Sequence, residues 1–153
     1  MNVTNTFDFI IVGAGSAGCV LANHLSADRR RTVLLIEAGK MSHPLTPVPI
    51  SFSRFIDNPK VNWCYASEPE SVMAERAIPV PRGRILGGSS AINGLVYVRG
   101  QPLDYNTWAQ LGNRGWSFDD VLPIFQRMEN YEPGADEWRR QGGPLHFLSL
   151  IHI

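Results

Sequence analysis

The chain has 153 residues, of which 44% are hydrophobic and 18% are charged, and its formal net charge is zero with a pI of about 6.9. This composition is typical of a globular protein, and the lack of excess charge argues against nucleic acid as a partner. The sequence shows no secretory signal pattern and no run near the roughly 18 apolar residues that span a bilayer. Two cysteines, Cys19 and Cys64, do not make a disulfide framework. A cytoplasmic location is the default expectation.

A glycine-rich motif follows the first apolar run. Phe9–Val12 reads FIIV, which predicts a short parallel strand buried on both faces. The run ends at a G-x-G-x-x-G formed by Gly13, Gly15 and Gly18, where a helical pattern begins. Gly13 permits a tight turn, Gly15 lets a pyrophosphate approach the backbone, and Gly18 allows the helix to lie close to the sheet. The positive end of this helix would face the phosphates of a dinucleotide.

A second apolar run and an acidic residue complete this pattern. Residues 32–36 predict a second strand, and Glu37 closes it at about 20 residues from the motif, the usual separation. A carboxylate there accepts hydrogen bonds from both ribose hydroxyls of an adenosine and repels a 2′-phosphate, which argues against an NADP-type ligand. The motif alone leaves three alternatives open: an FAD site, an NAD site, and a glycine-rich turn that binds nothing.

Residues 41–80 are rich in proline, which argues against a long helix or a central strand. We therefore predict a long excursion away from the sheet, of the kind that is often functional. Its apolar residues must be covered by the rest of the protein, by a partner or by a membrane surface, and the first alternative is favoured.

Residues 82–106 contain a second glycine-rich segment. Its centre, GGSS at 87–90, offers backbone N–H groups and hydroxyls that suit a phosphate or the polar edge of a ring, and two arginines, Arg82 and Arg84, could add positive charge. We expect a serine of this segment, at 89 or 90, to cap the start of a helix, which is compatible with a ligand site.

Two further helices are predicted. Residues 102–111 should form the first, with Leu103 and Trp108 buried. The second should begin at Ser117, which forms with Asp120 the acid-bearing relative of a capping box. Four carboxylates are expected to be solvated or to cap helices: Asp119, Asp120, Glu129 and Glu132. The sequence contains no spacing typical of metal ligands.

Together, the two glycine motifs resemble those of the glucose–methanol–choline family of flavoprotein oxidoreductases. The first is similar to the family's FAD-binding βαβ unit. Residues 83–93 are similar to the family signature, G-R-x-L-G-G-S-S-x-I-N, with Tyr97, Gly100 and Asn106 at the family's spacing. The resemblance covers residues 6–147 and is strongest to bacterial choline dehydrogenases and related alcohol dehydrogenases. It implies an α/β fold with a Rossmann-like FAD-binding domain, here incomplete and with most of the substrate domain absent.

The resemblance implies FAD-dependent oxidation of a small-molecule alcohol to an aldehyde or ketone, with hydride transfer to the flavin N5. Some members attach the flavin through a histidine, whose position here is Ile92, so we predict non-covalent FAD. The family's catalytic histidine has no counterpart in this chain, and we assign no catalytic residue. The implied cofactor-binding residues are Gly13, Gly15, Ser16, Gly18, Glu37, Ala38, Ile85, Gly88, Ser89, Asn93, Gly94, Leu95 and Val96.

Three interpretations stay open: a flavin-dependent alcohol dehydrogenase or oxidase, a non-redox lyase on the same scaffold, and an inert nucleotide-binding fragment. The alcohol, the electron acceptor (oxygen or a quinone-type carrier), a peripheral membrane contact and the oligomeric state are also open. Residues 148–153 do not continue the family pattern and resemble translated read-through of a sequencing adaptor, so we expect a non-native tail on a truncated gene product. Such a chain should expose strand edges and apolar faces.

Overall fold

The computed structural model describes residues 6–147, so the tail predicted at 148–153 lies outside the described residues. The chain divides into two compact units, with the boundary between Val96 and Tyr97. The longest helices of the described part have 11 residues, too few to cross a membrane. In the first unit the regular elements are β1 Phe9–Val12, α1 Ser16–Ser26, β2 Val33–Ile36, β3 Tyr65–Ala66 and β4 Pro79–Val80. In the second they are α2 Pro102–Gln110, α3 Phe118–Met128, β5 Glu129–Tyr131 and β6 Leu145–Phe147.

The first unit opens with the predicted βαβ arrangement. Strands β1 and β2 are parallel neighbours in one two-stranded sheet, with Ile10 opposite Leu34 and Val12 opposite Ile36. Helix α1 forms the crossover between them. The prediction of a strand, a glycine turn, a helix and a second parallel strand is therefore confirmed.

Helix α1 covers only one face of this sheet. A Cβ added to Gly18 of α1 would lie 3.4 Å from Cγ2 of Ile11, which places the helix on the Ile11 face. On the opposite face Ile10 is 59% exposed and Val12 is 82% exposed. The prediction that β1 is buried on both faces is wrong for this chain, because no described element packs on the second face. The expectation of exposed apolar surface holds here.

The proline-rich excursion contains little regular structure, as predicted. It forms short 3₁₀ turns and the antiparallel pair of β3 and β4. Phe55 and Val61 of the excursion are buried together with Ile85 and Ile92 of the second glycine-rich segment. The rest of the first unit thus covers part of the excursion's apolar surface, while Ile50 remains 82% exposed.

The second unit is built on the packing of α2 against α3. Tyr105 of α2 is buried against Phe118 and Val121 of α3. The predicted burial of Leu103 and Trp108 is wrong, because these side chains are 70% and 46% exposed and Tyr105 supplies the buried contact instead. The predicted capping box is present, with each partner, Ser117 and Asp120, accepting a hydrogen bond from the backbone N–H of the other.

Glu129 is fully buried in the second unit, so the prediction that it is solvated is wrong. Its Oε1 lies 2.6 Å from Nη2 of Arg99 as an ion pair, although the angle there is outside hydrogen-bonding geometry. Its hydrogen bonds come from Nη1 of Arg139 at 3.1 Å and from the backbone N–H of Arg140 at 3.1 Å. Two guanidinium groups therefore compensate one buried carboxylate.

Candidate functional site

The first glycine motif has the geometry of a loop that leaves room for a ligand. Gly13 has φ +95°, which favours glycine, and makes the turn out of β1. A Cβ added to Gly18 would lie 1.9 Å from the carbonyl oxygen of Gly13, so this glycine is required by the close helix. A Cβ added to Gly15 would meet no atom within 4 Å. Gly15 thus borders open space beside the start of α1 at Ser16, where free N–H groups favour an anion.

Glu37 connects the loop after β1 to the turn after β2. Its Oε2 accepts a hydrogen bond from the N–H of Ala14 at 2.8 Å, and its Oε1 accepts one from the N–H of Gly39 at 2.9 Å. A carboxylate oxygen can accept a second hydrogen bond, so each oxygen retains one site for a hydroxyl. Ala38, between Glu37 and Gly39, is exposed.

The two glycine-rich segments meet in the first unit. Lys40 and Ile85 form an isolated parallel bridge, and the N–H of Leu86 donates to the carbonyl of Lys40 at 2.9 Å. The next N–H, that of Gly87, donates to the carbonyl of Ala14 at 2.8 Å. The structure therefore brings together two motifs that lie some 70 residues apart in the sequence.

Gly88 is the point of closest approach between the segments. A Cβ added to it would lie 2.8 Å from Cα of Gly15, and its φ of +57° also disfavours a side chain. The backbone of the second segment at Gly88 thus packs directly against Gly15 of the first segment.

The prediction that Ser89 or Ser90 caps a helix is wrong. The segment forms a short 3₁₀ turn, Gly88–Ala91, whose N-cap is Gly87 and which has no side-chain cap. Ser89 Oγ accepts a hydrogen bond from the N–H of Gly83 at 3.1 Å, whereas Ser90 Oγ donates to the carbonyl of Gly87 at 2.6 Å. The hydroxyl proton of Ser89 thus remains available to an external acceptor, and that of Ser90 is used internally.

The remaining predicted ligands divide into buried and exposed residues. Ile85 is 1% exposed and belongs to the core of the unit, so only its backbone groups could reach a ligand. Ile92, at the position of the attachment histidine, is 6% exposed and belongs to the same core. The residues after the turn are all exposed: Asn93, Gly94, Leu95 and Val96. Asn93 Oδ1 accepts from the N–H of Leu95 at 3.0 Å, and Leu95 has φ +60°, so this exposed run has a defined local turn.

The two arginines of the second segment donate hydrogen bonds to backbone carbonyl groups. Arg82 Nη1 donates to the carbonyl of Pro81 at 2.7 Å, and Arg84 Nη2 donates to the carbonyl of Pro59 at 2.8 Å. The Arg84 guanidinium also lies 5.3 Å from the ring centroid of Trp63. Arg84 therefore ties the second segment to the excursion. A cavity of about 380 Å³ adjoins the end of β2 and is lined by Ala38, Gly39, Lys40, Pro59, Lys60 and Arg84.

The sequence interpretation missed the contribution of Gly39 and Lys40, through which the two segments touch. The only sequence feature that could have indicated this contact is the position of Gly39, two residues after Glu37, the acid that ends the second predicted strand. Among the described residues no cluster of histidine, cysteine or carboxylate side chains could hold a metal ion.

Known proteins resemble this chain along nearly its whole length. Residues 7–149 match the N-terminal domain of the family described as GMC oxidoreductase. An oxygen-dependent choline dehydrogenase of Rhizobium etli is 48% identical over 140 residues, which are 91% of this chain and 26% of that protein. The crystal structure of pyridoxine 4-oxidase from Mesorbium loti superposes with a TM-score of 0.86 at 39% identity, covering 92% of this chain and 28% of the other. A formate oxidase variant from Aspergillus oryzae superposes with a TM-score of 0.79 at 31% identity, covering 92% of this chain and 26% of the other.

The chain thus spans about a quarter of the length of these relatives. The family match covers nearly all of it, and the joined glycine-rich segments lie inside that match. Structures related at 39% and 31% identity share its fold. On these grounds the chain belongs to the GMC oxidoreductase family, and this membership implies FAD as the cofactor.

Proposed function

We propose that the protein to which this chain belongs oxidises the CH–OH group of a small alcohol to an aldehyde or ketone with FAD. The observation that carries the proposal is the hydrogen bond from Gly87 N–H to the Ala14 carbonyl, which joins the two glycine-rich segments beside Gly15, where an added Cβ would meet no atom within 4 Å. Choline and pyridoxine, named in two of the relatives, are both small alcohols.

The residues of the first unit fit the ADP half of FAD. Gly15 leaves open space at the N-terminus of α1, where N–H groups can bind a pyrophosphate. Glu37 keeps one free acceptor site on each oxygen for the ribose hydroxyls, because each oxygen already accepts one backbone N–H. Ser89 has a hydroxyl proton to donate to a phosphate or to a polar atom of the flavin.

FAD, when bound, would supply the chemistry of accepting a hydride from the carbinol carbon. The residues of this chain would bind and orient it: backbone N–H groups at the start of α1 would donate hydrogen bonds to the phosphates, and Glu37 would accept hydrogen bonds from the adenosine ribose. The exposed turn at 93–96 is proposed to line the flavin ring. We assign removal of the alcohol's hydroxyl proton to no residue of this chain.

Titration of the purified chain with FAD, followed by flavin fluorescence, tests the binding proposal. Gly15→Ala should lower FAD affinity by about tenfold or more, because its methyl would occupy the space that the pyrophosphate needs. The same variant should unfold at the same urea concentration as the wild type, since the added Cβ meets no protein atom within 4 Å.

Ser53→Ala, a change at an exposed serine outside both segments, serves as the control and should leave FAD affinity unchanged. A folded wild-type chain that fails to bind FAD would contradict the assignment of the ADP half of FAD to the residues of this chain. So would a Gly15→Ala variant with unaltered affinity.

We further propose that the FAD is held without a covalent bond, because Ile92 stands at the attachment position of the family and its side chain is buried in the core. Acid precipitation of the flavin-loaded protein should leave a colourless pellet and free FAD in the supernatant. A yellow pellet would refute this point.

Anaerobic mixing of the complete, flavin-loaded protein with an alcohol distinguishes an oxidoreductase from a lyase. Loss of the visible absorbance of oxidised flavin in the complete protein supports alcohol oxidation. Turnover of a substrate with the flavin still oxidised would instead support the lyase alternative.

A further inference from the structure

We propose that Gly39 is a positioning residue that sets the distance between the two glycine-rich segments, so that both bind the same FAD molecule. It acts through the backbone of Arg84 and Ile85. This inference rests on the proposed function, since it concerns how the same cofactor site is built.

A glycine is required at position 39 because a side chain has no room there, and not because of the backbone conformation. Its φ lies outside the left-handed region, so an alanine could adopt the same backbone angles. A Cβ there, however, would lie 2.0 Å from the carbonyl oxygen of Arg84, 2.1 Å from its carbonyl carbon and 2.3 Å from the nitrogen of Ile85. All three are backbone atoms, which cannot rotate away as the end of a flexible side chain would.

The residues after this contact carry the second segment to the first. Leu86 N–H donates to the Lys40 carbonyl at 2.9 Å, and Gly87 N–H donates to the Ala14 carbonyl at 2.8 Å. Relief of the collision requires the backbone near Arg84 to move by about 1 Å or more. Such a shift would be passed directly to Gly87 and to Gly88, which lies against the backbone of Gly15.

The two segments would serve different parts of FAD. The loop at Gly13–Gly15 and Glu37 suit the ADP half, whereas the second segment is proposed to bind the flavin and its phosphate. A change in their spacing should therefore weaken FAD binding more than ADP binding, since ADP uses only the first segment and Glu37, to which the N–H of Gly39 donates.

The test compares FAD and ADP binding to wild type and Gly39→Ala by calorimetry in the cold, with circular dichroism to verify folding. We expect FAD affinity to fall by about tenfold or more and ADP affinity to fall by a factor at least about three times smaller, because displacement of the second segment penalises only FAD, whereas a disturbed hydrogen bond from the Gly39 N–H to Glu37 affects both ligands. The visible spectrum of bound FAD should also lose its resolved band structure in the variant.

Gly143→Ala provides a matched control in the second unit. Its Cβ would lie 2.4 Å from the carbonyl carbon of Met128, so the same methyl meets a comparable backbone collision at a residue that belongs to neither glycine-rich segment. This variant should unfold more easily than the wild type and yet bind FAD and ADP with unchanged affinity once folded.

Three results would overturn the inference. A folded Gly39→Ala variant that binds FAD like the wild type would show that the spacing is not critical. If ADP and FAD affinity fell by the same factor, whether the variant is folded or unfolded, Gly39 would be required for the structure of the whole unit and not for the spacing of the two segments. A wild-type chain that binds ADP but gains nothing from the flavin half would remove the proposed function itself, and the inference with it.

Discussion

At the residue scale, glycines in this chain are required for separate reasons. Gly13 has a left-handed backbone, Gly18 and Gly39 lack space for a Cβ, and Gly15 has free space on the side proposed for the ligand. The G-x-G-x-x-G predicts separate roles for its three glycines from the sequence, whereas only the structure shows the crowding at Gly39. Substitution by alanine should therefore affect folding at some of them and binding at others, which makes the choice of control informative.

The buried carboxylate of Glu129 gives a prediction at the same scale. Glu129→Gln should lower the free energy of unfolding by about 3–5 kcal/mol, because it leaves the guanidinium groups of Arg99 and Arg139 without their buried counter-charge. Urea denaturation followed by circular dichroism measures the change. Glu132→Gln, at an exposed carboxylate nearby in sequence, should change stability by less than about 0.5 kcal/mol. Equal effects of the two substitutions would contradict the assigned role of Glu129.

At the element scale, a side chain joins the starts of the two parallel strands. The backbone N–H of Thr32 donates to Asp8 Oδ2 at 2.7 Å, and its hydroxyl donates to the same oxygen at 2.9 Å. The N–H of Asp8 donates back to the carbonyl of Thr32 at 3.0 Å. The backbone hydrogen bond from Thr32, and then the one from its hydroxyl, hold the pKa of Asp8 below its ordinary value of 3.8.

A lowered pKa gives a stability contribution with a defined pH dependence. It is present above pH 3.8, where the carboxylate is ionised in both folded and unfolded chains, and is lost as the pH falls through the lower folded pKa. Asp8→Asn should therefore unfold at lower urea concentration than the wild type at neutral pH, and the difference should shrink in acid. Asp57→Asn, at an exposed carboxylate, is the control and should show no such convergence. If the difference in unfolding urea concentration between Asp8→Asn and the wild type stayed constant with pH, this role of Asp8 would be contradicted.

Elements specified by neighbouring residues could be predicted from the sequence. The βαβ unit follows from apolar periodicity and the glycine motif, and the cap at Ser117 follows from a residue pair three positions apart. The helix cap predicted for Ser89 or Ser90 failed because Gly87 and Gly88 both adopt positive φ, which a double glycine permits but does not dictate. Their contact with the first motif depends on the path of the intervening excursion.

The environment of Glu129 could not be predicted because its partners are distant in sequence. Arg99 precedes it by a whole helical hairpin, and no local pattern links the two. For the same reason Tyr105, and not Leu103 or Trp108, contacts α3: the choice depends on how two helices cross and not on the hydrophobicity of either one.

At the scale of the whole molecule, the bare face of the β1–β2 sheet is the main departure from a closed fold. Parallel sheets in proteins are normally covered on both faces. Here Ile10, Val12 and Ile36 are 59%, 82% and 44% exposed on the face opposite α1, and the chain spans about a quarter of the length of its relatives. A sheet of two strands with one covered face buries little apolar surface, so its stability should be low.

This bare face should bind a hydrophobic dye and promote aggregation of the isolated chain. Ile10→Lys should lower the fluorescence of bound anilinonaphthalene sulfonate and the light scattering of concentrated samples, because it places a charge within contiguous exposed apolar residues. Val72→Lys makes a similar change at an 84%-exposed residue outside the sheet and should leave both signals near the wild-type level. If both lysines lower the signals equally, net charge and not the sheet face controls aggregation. If neither does, the dye binds elsewhere, and the exposed apolar residues of α2 become the next surface to substitute.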